Sequence, residues 1–249
     1  MALSDKFNGT QFFIEVFTIN QGFTFDQMKD ILPKGKSHMD IGTPSQKYAK
    51  KIFFQYLDFA SSIDILEEIP IFFSIPKIPS YYLKQGMSEI QYYKYHMENH
   101  YIKISSIIDF SAHFVNDVCR LGIPARKCNV FSVTENLNIV DTQVAETLKK
   151  FQSHFKDLKR KRNIIIHQGR DVNEEIKSLN ETIFPKSIVE KQKNLIKWFH
   201  EKREKETKNI LKMLDDNNNA VCDFLIELCD NLREPFLYNH NYLKSIDKA

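Results

Sequence analysis

The stretch KDLKRKRNIIIHQGR, residues 156–170, contains an arginine, an amide and an imidazole: Arg162, Asn163 and His167. An arginine binds a phosphate through two parallel hydrogen bonds and stays charged, whereas an imidazole gives or takes a proton near neutral pH. Such groups can cleave RNA through attack of its own 2′-hydroxyl, with the imidazole as general base or acid and the guanidinium stabilising the phosphorane. Asn163 would orient the imidazole or hold another phosphate oxygen. This chemistry needs no metal, and we predict neither a metal nor another cofactor.

Helical geometry decides how these three residues meet. In an ideal helix Arg162 and His167 lie roughly 140° apart around the axis and about 7.5 Å apart along it. Asn163 and His167 are four residues apart and share a face, and a long arginine can extend its guanidinium to the same edge. A two-fold partner could bring an identical set opposite, which makes a composite cleft geometrically possible.

A basic run surrounds the three residues. It comprises Lys156, Lys159, Arg160, Lys161 and Arg170. These cations would give an RNA backbone a sequence-independent electrostatic footing. The alternative is a solvated helix face, because lysine and arginine are also common near helix C-termini. The net charge of +3 is too small to decide between the two.

Two of the three residues also have purely structural interpretations. Arg162 can be a structural arginine paired with a helix carboxylate such as Glu98. His167 can interact favourably with the dipole at the C-terminus of its helix, a role that needs no substrate. It is the joint occurrence of Arg162, Asn163 and His167 on one helix that favours a functional site.

Composition bounds the fold that must position them. The 249 residues fit one large domain or a core with an appendage, and 42% are hydrophobic and 27% charged, as in globular proteins. Only 7 glycines and 8 prolines occur, which favours long uninterrupted helices. No run of about 18 apolar residues is present, so we predict a cytoplasmic protein without a membrane partner.

Four substantial helices are predicted within residues 88–249. The first runs from Ser88, a capping residue, to a stop at Gly122. Its apolar positions recur at three and four residues: Tyr93, Met97, Tyr101, Ile104, Ile108, Ala112, Val115 and Cys119. The second begins near residue 141 or 142 and ends at Gly169. Its apolar stripe is followed by Arg162, which is therefore expected to face the core, and comprises Val144, Leu148, Phe151, Phe155 and Leu158. Two more are expected over 186–214 and 219–233, separated by a loop at DDNNN. Four such helices indicate an antiparallel bundle and an all-α fold class.

The N-terminal residues 1–87 are predicted to form a mixed extension of helix and extended segments. TQFFIEVFTI can be a short strand, and the residues from Ser45 to Ile69 have helical spacing. Pro70 and the prolines that follow it then predict an extended connection.

A histidine pair on the first long helix raises the question of a metal. His96 and His100 are four apart, a spacing that can bind a metal ion, with Glu98 between them. However, HMENH lacks the adjacent His-Glu arrangement of the zinc-protease helix and has no evident third ligand. We therefore predict no metal site there.

The motif and its helical setting resemble a known superfamily. RNIIIH, residues 162–167, resembles the Arg-x4-6-His motif of the HEPN superfamily, at a similar place toward the end of a long helix. YYKYHMENHYIKISSIIDFSAHFVNDVCRLGIP resembles the other long helix of bacterial HEPN proteins linked to host defence. The resemblance extends over about residues 88–233.

The resemblance implies a metal-independent endoribonuclease that leaves 2′,3′-cyclic phosphate and 5′-hydroxyl ends. Its active site would form between two HEPN domains across a dimer, so we predict a homodimer. Arg162 and His167 would be the catalytic pair and Asn163 the polar residue of the motif, with Glu98 or Asp109 as a possible assisting acid. The setting would be phage defence or a toxin–antitoxin system, with an antitoxin or defence partner. Members that have lost the activity bind nucleotides or proteins, so the alternative is a catalytically silent helical module that binds RNA, a nucleotide or a protein.

Overall fold

The computed structural model describes residues 2–21, 41–75, 78–168, 174–181 and 193–248, and every regular element in these ranges is helical. The helices are α1 (Leu3–Asn8), α2 (Gln11–Gln21), α3 (Pro44–Ser74), α4 (Ser80–Lys84), α5 (Glu89–Val118), α6 (Val130–Thr134), α7 (Gln143–His154), α8 (Lys156–Gln168), α9 (Glu174–Asn180) and α10 (Lys193–Ile246). The predicted all-α fold class is confirmed.

Helix α5 begins and packs as its sequence predicts. Oγ of Ser88 accepts a hydrogen bond from the backbone N–H of Gln91, and Oε1 of Gln91 accepts one from the N–H of Ser88, so both orphan donors are satisfied. Cys119, the last residue of the predicted apolar stripe, lies beyond the end of α5 and is half-buried. The other residues of the stripe are buried along the helix: Tyr93, Met97, Tyr101, Ile104, Ile108, Ala112 and Val115.

The C-terminal end of α5 differs from the prediction. The sequence predicts a stop at Gly122, but α5 ends at Val118. Arg120, two residues beyond the helix, adopts a left-handed conformation with a φ of 51°. The N–H of Leu121 returns to the carbonyl of Asn116 at 2.9 Å, which closes the last turn. An arginine takes the position that glycine usually occupies, at a cost of about 1 kcal/mol.

The second long helix is divided in two. Helix α7 ends at His154, Phe155 forms a turn, and α8 begins at Lys156. Leu158, the last residue of the predicted stripe, is half-buried. The others are buried: Val144, Leu148, Phe151 and Phe155. No glycine or proline marks the interruption. The predicted stop at Gly169 lies outside the described residues.

The last helix is longer than predicted. Helix α10 has 54 residues and continues through DDNNN, which was wrongly assigned to a loop. Asn218 within that run is 3% exposed, and both its side-chain Oδ1 and its Nδ2 form hydrogen bonds. These tertiary hydrogen bonds outweigh the low helix propensity of asparagine. The predicted start near residue 186 lies outside the described residues.

Two N-terminal predictions are also wrong. TQFFIEVFTI lies largely in α2, not in a strand, because Phe12 and Val16 are one helical turn apart and both fully buried. Helix α3 does not end before Pro70 but continues to Ser74. Beyond Pro70, Phe73 is buried and stacks on Tyr93 with ring centroids 5.2 Å apart, which offsets the lost backbone hydrogen bond.

The chain divides into two compact units. Unit 1 comprises Met1–Asp64, Ser106–His154 and Val221–Ala249, and unit 2 comprises Ile65–Ser105 and Phe155–Ala220. The separate prediction of a boundary between residues 87 and 88 stays a prediction.

Aromatic rings form the core of unit 1. The ring of Phe7 stacks on Tyr56 at 4.3 Å, and the Tyr56 hydroxyl donates a hydrogen bond to the Phe7 carbonyl at 2.6 Å. The ring of Phe12 contacts those of Tyr56, Phe114 and Phe236 at centroid distances of 6.0, 5.9 and 5.6 Å. Residues from the start, middle and end of the chain therefore share one core.

Unit 2 combines ring packing with a buried polar network. Nε2 of His100 lies 3.1 Å from Oδ1 of Asn218, and Nδ2 of Asn218 donates to the carbonyl of Leu66 at 2.8 Å. Near the start of α5, Glu89 forms an ion pair with Arg203. These contacts tie α5 to α3 and α10 within unit 2.

Candidate RNA-cleavage site

Helix α8 presents the three candidate residues with different exposures. Arg162 is half-buried, while Asn163 and His167 are exposed. The helix is anchored at its start, where the carbonyl of Phe155 accepts a hydrogen bond from the N–H of Lys159 at 2.9 Å. The half-buried position of Arg162 follows from its place next in the stripe after Phe155 and Leu158.

The guanidinium of Arg162 is held by its neighbour and is incompletely satisfied. Nη1 donates a hydrogen bond to Oδ1 of Asn163 at 3.0 Å. Nε is shielded from solvent and has no hydrogen-bond partner among the described residues. A buried donor without a partner costs roughly 1–3 kcal/mol, and it is accounted for by an ordered water, a bound ligand, stored strain or a role in catalysis. Seven other buried side-chain atoms of the described residues share this state.

His167 lies on the last turn of α8, one turn beyond Asn163 on the same face. Within the described residues no hydrogen bond joins His167 to Arg162 or Asn163. The structure thus brings Arg162 and Asn163 together and leaves the imidazole exposed on the neighbouring turn. An exposed imidazole there can reach a bound substrate without first breaking a contact to either residue.

The cations of the basic run make different contacts. Lys156 and Arg160 are exposed, with Arg160 Nε lying 3.9 Å from the Asp157 carboxylate. Nζ of Lys161 instead lies over the ring of Tyr101, 5.2 Å from its centroid. Such a cation–π contact orients α8 against α5 within unit 2. The sequence predicts Tyr101 only as a core residue, and the spacing of apolar residues does not identify Lys161 as its partner.

Of the other residues in the run, Lys159 is half-buried. Arg170 lies outside the described residues. Among the described residues of the run, Lys156 and Arg160 are thus the exposed cations.

The candidate assisting acid sits on α5. Glu98 is half-buried, and its carboxylate lies 3.8 Å from Nζ of Lys94, one turn earlier. Arg162 donates to Asn163 rather than being paired with Glu98, so the structural interpretation of that arginine as a Glu98 partner is not the arrangement observed.

The histidine pair on α5 is used for packing. The ring of His96 stacks on Phe72, with centroids 4.0 Å apart, and burial lowers the pKa of His96. His100 is fully buried, and the same cause lowers its pKa to about 4. Both imidazoles are therefore held neutral near pH 7. Among the described residues no three His, Cys, Asp or Glu side chains converge in the way a metal ion requires.

The all-α fold is in keeping with the family that comparison with known proteins identifies. Residues 52–233 match the family described as Cthe2314-like HEPN. The chain therefore belongs to the HEPN superfamily. The match begins 36 residues before Ser88, since 88 − 52 = 36, and so includes most of α3.

No curated protein and no solved structure gave a significant match. In the described residues no helix has the length and hydropathy of a membrane span.

Proposed function

We propose that this protein is a metal-independent endoribonuclease. HEPN membership supports a role connected with RNA or nuclease activity. The observation that supports cleavage most directly is the state of Arg162: its guanidinium is held by Asn163 and retains an Nε without a partner in the described chain. A cation held in this way is suited to stabilise charge that develops on a phosphate in the transition state.

The proposed reaction uses the RNA's own nucleophile. The 2′-hydroxyl oxygen attacks the adjacent phosphorus as a general base removes its proton, and the bond from phosphorus to the 5′-oxygen breaks. The departing 5′-oxygen takes a proton from a general acid, which leaves a 2′,3′-cyclic phosphate and a 5′-hydroxyl. Arg162 neutralises the charge on the non-bridging oxygens.

Two protons move in this reaction, and each chain offers one His167. A homodimer would supply two imidazoles, one as base and one as acid, and two guanidinium groups across a composite cleft. A phage-defence or toxin role and an inhibiting partner are part of the same proposal. A monomeric mass at micromolar concentration, together with intact cleavage, would overturn the dimer.

The test is incubation of the purified protein with mixed-sequence RNA in excess EDTA, followed by mapping of the cleavage ends. Wild type should cleave and leave cyclic phosphate ends, and Arg162→Ala and His167→Ala should each reduce cleavage by at least about a hundredfold. His200→Ala is the matched control, because His200 is also exposed and lies in unit 2.

A different result would favour the alternative. If wild type, Arg162→Ala and His167→Ala bind RNA equally and none cleaves it, the protein is a silent helical module. If both variants cleave as wild type does, the active site lies elsewhere in the chain.

A further inference from the structure

A tyrosine surface lies on unit 2, in addition to the residues of α8. We use this name for Tyr81 and Tyr82 on α4 and Tyr95 on α5. Their exposed fractions are 66%, 39% and 59%. Three large aromatic side chains on one short stretch of sequence, all exposed to this degree, are not explained by the packing of α4 and α5 alone.

The tyrosine surface is supported by rings beneath it. Tyr82 lies 5.6 Å from the ring of Tyr92, and Tyr95 lies 5.3 Å from that of His96 in an edge-to-face arrangement. His96 is itself packed between Tyr92 at 4.5 Å and Phe72 at 4.0 Å. Tyr81 lies 5.8 Å from the ring of Tyr82, also edge-to-face, so each exposed tyrosine has an aromatic neighbour that supports its ring.

The position of the tyrosine surface relates it to the candidate site. Tyr95 and Tyr101 are six residues apart on α5, about 9 Å along the helix axis and roughly 120° apart around it, with Tyr95 exposed and Tyr101 buried. Nζ of Lys161 lies over the Tyr101 ring, and Arg162 is the next residue of α8. A flexible polynucleotide strand of a few residues spans such a separation, so a phosphate at Arg162 and a base at Tyr95 can belong to one RNA.

The charges around the tyrosine surface suit a polyanion. Lys84 is the last residue of α4, and Lys94 immediately precedes Tyr95. Two acidic side chains on the same part of α5 face cations: Glu89 pairs with Arg203, and Glu98 lies 3.8 Å from Nζ of Lys94. The local charge is therefore balanced or positive, as in grooves that follow a nucleic-acid backbone.

We propose that the tyrosine surface stacks unpaired bases of the RNA whose phosphate is bound at Arg162. This inference rests on the proposed function and names its substrate class as single-stranded RNA. Stacking on tyrosine needs an unpaired base with an accessible face, which a duplex does not offer. Since every base has such a face, the surface would bind RNA with little sequence preference.

The experiment measures affinity, not cleavage. The probe is a fluorescein-labelled oligouridylate of about 12 nucleotides, a length within the range of stacking sites. Its anisotropy is followed in EDTA with protein carrying His167→Ala, so that no probe is consumed. In that background Tyr95→Ala and Tyr81→Ala are each expected to raise Kd by about fivefold to a hundredfold. Tyr95→Phe keeps the ring and should restore the affinity.

The control is Tyr238→Ala, because Tyr238 is 73% exposed but lies on α10 in unit 1. It should leave Kd unchanged. A blunt duplex of the same length should bind at least about fivefold more weakly than the unpaired probe, and its affinity should not respond to Tyr95→Ala.

Several results would overturn the inference. It fails if the alanine variants bind the probe as the parent does, if Tyr238→Ala weakens binding equally, or if the parent binds no RNA. It also fails if Tyr95→Ala lowers self-association while RNA affinity is kept, since the surface would then be a protein interface. Failure of the proposed function would give a different result. If Tyr95→Ala weakens RNA binding but wild type does not cleave RNA, the tyrosine surface is supported and the proposed catalysis is rejected.

Discussion

Oδ1 of Asn163 accepts a hydrogen bond from Nη1 of Arg162 at 3.0 Å, so the guanidinium is held by the next residue in the sequence. Side chains at adjacent helical positions do not normally face each other, and only the length of the arginine allows this contact. Asn163 is exposed, so its contact with Arg162 contributes to placing the guanidinium more than to the core.

Asn163→Ala should therefore lower the kcat of RNA cleavage about tenfold or more, because a hydrogen bond to a charged group contributes roughly 1.5–3 kcal/mol. Asn163→Asp keeps the acceptor and should restore part of kcat. The unfolding temperature of both variants should match that of wild type. Equal kcat for Asn163→Ala and wild type would show that Arg162 needs no positioning residue.

Asn218→Ala should destabilise unit 2. The change removes the partner of His100 Nε2 and of the Leu66 carbonyl, and each buried group left unsatisfied costs roughly 1–3 kcal/mol. We expect the free energy of unfolding in urea to fall by about 2 kcal/mol or more. Asn219→Ala is the control, because Asn219 is exposed and bonds only to the carbonyl of Asp215 in its own helix. A similar loss in both variants would contradict the assigned role of Asn218.

His100 should make stability depend on pH below neutrality. Its pKa is lowered by burial from 6.5 to about 4, so between these values the unfolded chain binds a proton that the folded chain does not. The contribution of His100 is therefore fully present above pH 6.5 and is lost as pH falls toward 4, by at most about 1.4 kcal/mol for each pH unit.

Comparison with His100→Gln isolates this effect from the other titrating groups. The difference in unfolding free energy between wild type and His100→Gln should shrink steadily as pH falls from 6.5 to 4. Urea titrations at intervals across that range measure the difference. A constant difference would mean that His100 titrates in the folded protein as it does in the unfolded chain.

Phe12→Ala tests the contribution of the N-terminal helices. Phe12 is fully buried among the rings of Tyr56, Phe114 and Phe236, and removing a core phenylalanine costs about 3–5 kcal/mol. The midpoint of unfolding in urea should fall accordingly. Phe17→Ala, on the same helix but 40% exposed, should cost roughly 1 kcal/mol. If the two costs are equal, α2 does not contribute to the core through Phe12.

The sequence predicts well where the decisive information is local. The cap at Ser88 and the apolar stripe of α5 follow from residue type and a period of 3.6, and both are observed. The half-buried position of Arg162 likewise follows from its place after Phe155 in the stripe of the second predicted helix. The helical motif of the candidate site can therefore be recognised without a structure.

The predictions from sequence fail where contacts between residues far apart in the chain determine the structure. DDNNN is a typical loop sequence, and only His100 and Leu66, remote in the chain, show why Asn218 belongs in a helix. Pro70 ends a helix by local rules, but the burial of Phe73 keeps α3 intact to Ser74. The contact of Lys161 with Tyr101 and the tyrosine surface also depend on which helices are neighbours, which periodicity does not reveal.

The ring contact between Phe12 and Phe236 also affects when the core of unit 1 can form during translation. The two residues are 224 positions apart, since 236 − 12 = 224. During translation α2 can pack on Tyr56 and Phe114 before Phe236 exists, but its apolar face is fully covered only after most of α10 has been synthesised. At roughly 5–20 residues per second this wait lasts on the order of 10 to 45 seconds. The aromatic core of unit 1 is thus completed only after Phe236 has been synthesised, so a ribosome that stalls earlier in α10 leaves this core incomplete and accessible to chaperones and proteases.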